Sequence, residues 1–481
     1  MSKIKTPQSG ETGQLSWLYE PKEQSLTLSG AGAIPNYPIA ETPWQEFREQ
    51  IESIVLEEGV TRIGDYAFYD CTALKSVEIP EGVTQIGESA FACCQSRESV
   101  TIPGSVTEIG EGAFESCSDL LVLELTSGLK HVGAFAFSEC FSLRALDLPD
   151  SVERIDRSAF TGAALQELVI PSNVQEIGDN AFNGCIQLSS LTLSEGIRVI
   201  EEMAFSNCSD LTKVLIPASV ERLGDGVFAD CLAMEQISVA PESEHYVVRD
   251  DILYSKDLSV LIHYPASKEE QEFTIPEEVR KIAGLAFASN YFLMEVMLGD
   301  HLEEVGSYAF ARCSSLSFMS LPAQTTRLGV SPFHDCIMLL EIEVDPNNPC
   351  YSSIDGILYN KEQTQLIQYP AGLYDDVYRI PDTVQEIAEN AGYDAQDLEV
   401  LVIPESVRKI GDMAFAFCDK LRKVEIRVAD PAQVEVGIMA LFSVAGTARK
   451  LIVPKGSSKL YKKSESWLEF TSNIVEAKDK G

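Results

Sequence analysis

Twelve cysteines and five histidines are the side chains of this 481-residue chain best suited to chemistry. Ten of the cysteines (Cys71, Cys94, Cys117, Cys140, Cys185, Cys208, Cys231, Cys313, Cys336 and Cys418) fall at one phase of a repeat whose usual period is 23 residues. Equivalent side chains in stacked repeats stand about 4.8 Å apart and parallel. A disulfide needs Cβ atoms near ~3.8 Å and tilted together. The ten are therefore read as reduced, buried, small hydrophobes. Zinc would call for CxxC or Cys/His pairs at ligand spacing, and the sequence has neither. Cys93 and Cys350 have no place in the repeat, and Cys350, in Pro349-Cys350-Tyr351, is the expected exposed thiol.

The histidines are scattered, with His131, His301 and His334 in the repeats and His245 and His263 in an insertion. None belongs to HExxH, and no GxSxG nucleophile motif occurs. The recurring Ile-Gly is spaced by 23 residues instead of clustered, so it makes no phosphate loop. Acidic pairs such as Asp250-Asp251 read as solvated turns, not calcium loops. Catalytic residues, cofactors and metals are accordingly expected to be none. A hydrolase or transferase built on an insertion, using His263 or Cys350, is the alternative to test.

The repeat itself is clearest in residues 63–85, IGDYAFYDCTALKSVEIPEGVTQ. Thirteen copies are led by Ile63, Ile86, Ile109, Val132, Ile155, Ile177, Ile200, Leu223, Ile282, Val305, Leu328, Ile387 and Ile410. A regular period of this length signals a solenoid. Leu74, Val77 and Ile79 mark a short strand with alternate residues pointing inward. Pro80, which lacks an N–H, ends the pairing. Val83 and Ile86 mark a second extended piece, and Ala67-Phe68 the return side. The Phe recurs in twelve of the thirteen repeats, Gly392 being the exception.

Two insertions break the array, and they copy each other at an offset of 105 residues: DDILYSKDLSVLIHYPA from Asp250 and DGILYNKEQTQLIQYPA from Asp355. Each reads as a hairpin, 252–254 against 260–263 and 357–359 against 366–368. The expected organisation is a hairpin-and-helix cap at 1–52, repeats 1–8 at 53–239, an insert at 240–272, repeats 9–11 at 273–344, an insert at 345–379, repeats 12–13 at 380–427 and a C-terminal cap at 428–481. In the first cap, residues 15–19 and 25–29 should pair, and Thr42-Pro43 should open a short helix over 44–51. In the last, a strand at 451–454, a helix over 460–467 and an extended piece at 473–476 are expected. Trp17 and Trp44 are read as cap core.

The consensus I/L-G-x-x-A-F-x-x-C-x-x-L-x-x-V-x-I-P-x-x-V-x-x resembles the BspA-type leucine-rich repeat of bacteria, over roughly residues 53–426. The ILYN and YPAG inserts, Pro43-Trp44 and the VPKGS tail are similar to that family as well. The resemblance implies a right-handed, β-rich repeat solenoid of short parallel strands with turns and short helical segments. It also implies adhesion or host-protein binding at the cell surface for secreted members.

Composition narrows the partners. Acidic residues outnumber basic ones by 74 to 37, a formal charge of −37. Such a surface repels phosphate backbones and anionic membranes. No apolar run reaches the ~18 residues of a membrane span. Residues 1–10, MSKIKTPQSG, carry no apolar signal region, so a cytoplasmic location is expected if the chain is native as it stands.

Function is then left to the positions that the repeat does not specify. Most outward strand residues are polar, as at Ser76 and Glu78, but Val169, Leu215, Met297, Phe318, Val400 and Val402 are not. Exposed apolar patches mark contacts. These six, with Tyr254, Tyr264, Tyr359 and Tyr369 of the inserts, are the candidate binding residues. The expected function is non-enzymatic binding of a protein or glycan by a monomer through its concave sheet and inserts. A structural spacer in a surface assembly is the second alternative. The charged positions Glu153-Arg154, Glu221-Arg222, Arg280-Lys281 and Arg408-Lys409 should stack into sign-alternating ladders that serve solubility and register.

Overall fold

Alternation of one inward and one outward residue makes the Val-x-Ile segment of each repeat a strand. Ser99–Ile102 buries Val100 and Ile102 and exposes Ser99 and Thr101. It pairs in parallel with Val122–Leu125, one repeat on, with Ser99 opposite Val122. A second, two-residue strand in each coil does the same: Glu108–Ile109 lies between Gln85–Ile86 and His131–Val132. A regular coil thus contributes one rung to a long-strand ladder and one to a short-strand ladder.

The return side is built from turns, not from helix. Two residues per coil take positive φ at fixed positions, such as Tyr66 (56°) and Asp70 (60°), or Phe135 (56°) and Glu139 (60°). That conformation aims alternate N–H groups at the next coil. Tyr66, Phe68 and Asp70 donate to the carbonyls of Glu88, Ala90 and Ala92 at 2.8, 2.8 and 2.9 Å. The return side is therefore a third hydrogen-bonded ladder, which pairs backbone groups that burial would otherwise leave unsatisfied. Among the described residues, helix occurs only in the terminal segments, at Arg48–Gln50, Pro431–Gln433, Ser458–Tyr461 and Glu465–Asn473.

The computed structural model describes residues 4–96, 98–443 and 449–477. The first three residues of the 1–10 stretch and the end of the C-terminal cap, 478–481, lie outside them. The chain divides into two compact units, Met1–Lys256 and Asp257–Gly481. With caps and inserts counted, the coils number about 18.

In the first unit, Leu15–Glu20 and Ser25–Gly30 form the expected antiparallel hairpin. Gln8–Thr12 adds a further strand to it. Ser25–Gly30 then pairs in parallel with Ser53–Leu56, so the cap already supplies the first rung. The helix expected over 44–51 is only turns and the 3-10 segment Arg48–Gln50. The reason is that Trp44 serves as a ring in the interior stack. It lies over Phe68 with centroids 5.5 Å apart, and its indole N–H donates to the Ala67 carbonyl at 2.8 Å. From Phe68 to Phe205 successive rings stack at 5.2–5.3 Å.

In the second unit the long-strand ladder contains Glu272–Thr274, Glu295–Met297, Phe318–Leu321 and Glu341–Val344. A second run joins Val377–Arg379, Val400–Ile403, Lys423–Ile426, Lys450–Val453 and Ile474–Glu476. The short-strand ladder continues past residue 427, since Glu435–Val436 pairs with Lys409–Ile410. The helix expected over 460–467 is a single turn at Ser458–Tyr461 followed by 3-10 geometry, with Tyr461 and Trp467 buried.

Each insert has a strand that the hairpin reading left out. Tyr246–Arg249 pairs with Ile252–Ser255, and Tyr351–Ile354 with Ile357–Asn360. Both turns, Asp250-Asp251 and Asp355-Gly356, have positive φ at both residues, as two-residue hairpins require. Ile357–Asn360 also pairs with Gln365–Gln368, through a register shift, as the sequence led one to expect. The extra strands begin with tyrosines that stand in for the next rung. The Tyr351 hydroxyl accepts from the Leu328 N–H at 3.0 Å and donates to the Thr326 carbonyl at 3.4 Å. Tyr246 does the same for Leu223 and Glu221 at 2.8 and 3.2 Å.

Candidate binding surface

The ten repeat-phase cysteines are free thiols, all buried. Their role is more polar than a small hydrophobe's, because nine of them donate S–H to a main-chain carbonyl 25 or 26 residues earlier. Cys94 bonds Phe68 at 3.3 Å, Cys140 bonds Phe114 at 3.4 Å and Cys313 bonds Phe287 at 3.1 Å. Burial pushes the thiols of Cys71, Cys185, Cys313 and Cys418 up to about 12. A thiol so far from its thiolate is a poor nucleophile. Cys93 and Cys350 are half-buried. Titration of the native chain with an aromatic disulfide should therefore reach about two thiols rapidly. Ten fast thiols would refute the interior ladder.

Among the histidines, His131 bonds Asp156 at 2.7 Å, which raises its pKa. Burial lowers His263 and His334 to about 4, so both rings are neutral at pH 7. Among the described residues, no group of three or more His, Cys, Asp or Glu is arranged to hold a metal ion. No described helix is long and apolar enough to cross a membrane.

Five of the candidate binding residues are interior. Tyr254, Tyr264, Tyr359 and Tyr369 are buried, and so is Val402. The tyrosines are inward because the inserts re-enter the coil before they end. Tyr264 stacks on Phe287 at 4.9 Å, in the place of a repeat Phe. Tyr359 and Tyr378 share a 2.7 Å hydroxyl–hydroxyl bond, and Tyr378 lies 4.8 Å from Tyr369. A side chain at Gly392 would overlap the Phe415 ring, which accounts for the missing Phe of that repeat. Val400 is half-buried. Val169 and Leu215 are exposed in the first unit, with Thr192 opposite Val169 on the strand after it.

Met297 and Phe318 are brought together. They line a groove of about 580 Å³ on the outer face of the long strands, beside the start of the second insert. Its wall includes Leu298, Leu321, Pro322, Val344 and Pro346, and its rim Glu295, Asp300, Glu343 and Asp345. Met297 is 43% exposed, and Met294, Tyr291 and Phe292 on the same coil are exposed as well. Sequence reasoning passed over these three, although the signal existed. They replace polar residues of other repeats, such as Ser118-Asp119 after Cys117, with Tyr and Phe after Asn290.

The first insert makes the corresponding feature in its own unit. A groove of about 380 Å³ is lined by Ser238, Val239, Ala240, Pro241, Val248 and Lys256, among others. The first five stand 105 residues before Glu343, Val344, Asp345, Pro346 and Ser353 of the larger groove. The acids are thus particular to the second copy, while the shape is common to both.

The model of the BspA-type leucine-rich repeat region matches residues 45–165, 155–261, 264–374 and 377–458, most of the chain. The chain belongs to the BspA-type leucine-rich repeat family. No protein of curated function matches it in sequence. Among solved structures it is similar to a leucine-rich cell surface protein of Faecalibacterium prausnitzii, with 22% identity over 99% of this chain and 96% of that one, at a TM-score of 0.47. It is also similar to the pneumococcal vaccine antigen PcpA, with 19% identity over 99% of this chain and all (100%) of that one, at 0.41. A leucine-rich repeat protein of Eubacterium ventriosum gives 20% identity over 92% and 96%, at 0.40. At these values the likenesses carry no functional argument. Family membership does carry one consequence: solenoids of this kind use their extended faces as interaction scaffolds.

Proposed function

We propose that this chain is a non-enzymatic, adhesion-type interaction module that holds a protein partner against the outer face of its long strands. The observation that carries the reading is the Met297–Phe318 groove. Met297 is exposed and Phe318 half-buried, and soluble proteins seldom leave a large apolar patch open without a use for it. A concave apolar floor with a polar rim is also the usual anatomy of a binding site. Family membership supports the same reading, because repeat solenoids bind through faces rather than through catalytic clusters. The buried cysteines and the neutral, enclosed His263 and His334 offer no activated nucleophile to an enzyme reading.

The test is a protein array probed with the full chain and with the Met297→Ser/Phe318→Ser variant. Wild-type signals should fall at least about tenfold in the variant, the size expected when a central apolar anchor is lost. Thermal unfolding should change little, since Met297 is exposed and Phe318 only half-buried. Array signals that survive the double substitution would move the contact to another face.

A further inference from the structure

The rim of the larger groove says what kind of segment fits it. Some acids on the coil surface of the second unit have cations beside them. Glu304 is held by Lys281 at 2.9 Å and by Arg327 at 2.8 Å, and Glu386 by Lys409 at 3.0 Å. Glu295, Asp300, Glu343 and Asp345 have none: the groove is lined by four acids and no Lys or Arg. Among the described residues, no cation forms an ion pair with any of the four. Glu295 and Glu343 stand on the two strands that flank Phe318–Leu321, where Phe318 and Ser320 lie opposite them. The equivalent positions of the first insert carry no acid, with Ser238 and Ala240 where Glu343 and Asp345 stand.

We propose that the groove takes a cationic peptide segment of a partner protein, one apolar side chain seated between Met297 and Phe318 with Lys or Arg on either side. This rests on the reading of the face given above and adds the chemistry of its partner. Phe318 and Met297 offer an aromatic face and a polarizable sulfur, to which both aliphatic and cationic groups are drawn. The four carboxylates supply the complementary field. In an open groove such charges contribute mainly to encounter rate and to rejection of acidic segments. The smaller groove lacks that ring and has Lys256 in its lining, so it should not select cations.

The probes are short labelled peptides alternating Lys with Leu, Lys with Ser, and Glu with Leu, titrated against the full chain by fluorescence anisotropy. The Lys-Leu peptide should bind, and the Glu-Leu and Lys-Ser peptides should each bind at least about tenfold more weakly. Raising salt from about 50 to about 300 mM should weaken the Lys-Leu complex severalfold. Glu343→Gln/Asp345→Asn should weaken it about tenfold. Glu124→Gln/Asp147→Asn, an equal change of charge on one long strand and just after the next in the other unit, should leave it within about twofold. Equal loss in both double variants would reduce the effect to the net charge of −37 and overturn the proposal. So would equal binding of the Glu-Leu peptide. If the charge variants are silent but Phe318→Ser still abolishes array binding, only the cationic partner fails. If Phe318→Ser is silent too, the face itself is wrong.

Discussion

Phe137→Ala is expected to destabilise the first unit by about 3–5 kcal/mol, as truncation of a large buried ring does. The ring is fully buried between Phe114 at 5.2 Å and Phe160 at 5.3 Å, nearly parallel to both. What makes the cost high is that the hole cannot close. Three hydrogen-bonded ladders fix the distance between coils, so neighbouring rings cannot slide inward to fill the space. In a solenoid each coil touches only its neighbours, so the loss also weakens one interface instead of a shared core. Urea unfolding followed by hydrogen exchange should therefore show protection lost first around residue 137, and a transition that broadens or splits. A change below about 1 kcal/mol would mean that the ring is not interior. Phe141→Ala is the control: that ring is 59% exposed, and its removal should cost no more than about 0.5 kcal/mol.

The sequence made the ladders legible because their cause is periodic. Val100, Ile102 and Ile109 are apolar for one reason, and the same reason recurs one repeat later at Leu123, Leu125 and Val132. It failed where a tertiary bond overrides residue type. Nothing about Tyr66, Phe135, Met203 or Leu285 announces a left-handed conformation, yet all four adopt it because the next coil offers a carbonyl there. The same blindness placed Tyr254, Tyr264, Tyr359 and Tyr369 on a binding surface. An insert interrupts the period, and with it the only indication of which way a side chain faces. Tyr264 shows how the information was present but displaced, since it stands 23 residues before Phe287 and occupies the Phe position. Of the groove's lining, the sequence singled out Met297 and Phe318, because apolar residues stood where the pattern called for polar ones. It could not locate the rim. Glu295, Glu343 and Asp345 are ordinary surface acids in a chain of 74, and only their shared groove without a cation distinguishes them.

Gly196→Ala should cost about 3 kcal/mol, through two effects that can be separated. Its φ is +115°, outside the left-handed helical well that other residues tolerate, and a Cβ there would overlap the Ser172 carbonyl oxygen of the preceding coil. That carbonyl has little freedom to turn away. Gly196 is also tied to the following coil, its N–H donating to the Ser219 hydroxyl at 2.9 Å. Gly128 repeats the arrangement, with φ +141°, the Gly104 carbonyl on one side and a 2.9 Å bond to the Ser151 hydroxyl on the other. The turn between the two ladders is thus as narrow as a bare Cα permits at these coils. Gly184 isolates the conformational part. Its φ is +72°, and the nearest atoms to a Cβ would be the Gly162 backbone at 3.8 Å. Gly184→Ala should cost only about 1 kcal/mol, the ordinary penalty of a left-handed alanine. Chemical denaturation of the two variants decides the matter: a shared loss near 1 kcal/mol would leave backbone conformation as the sole constraint. The larger loss at Gly196 would show that coil spacing itself is limited by the missing side chain, in the same loops that carry the chain from its long-strand to its short-strand ladder.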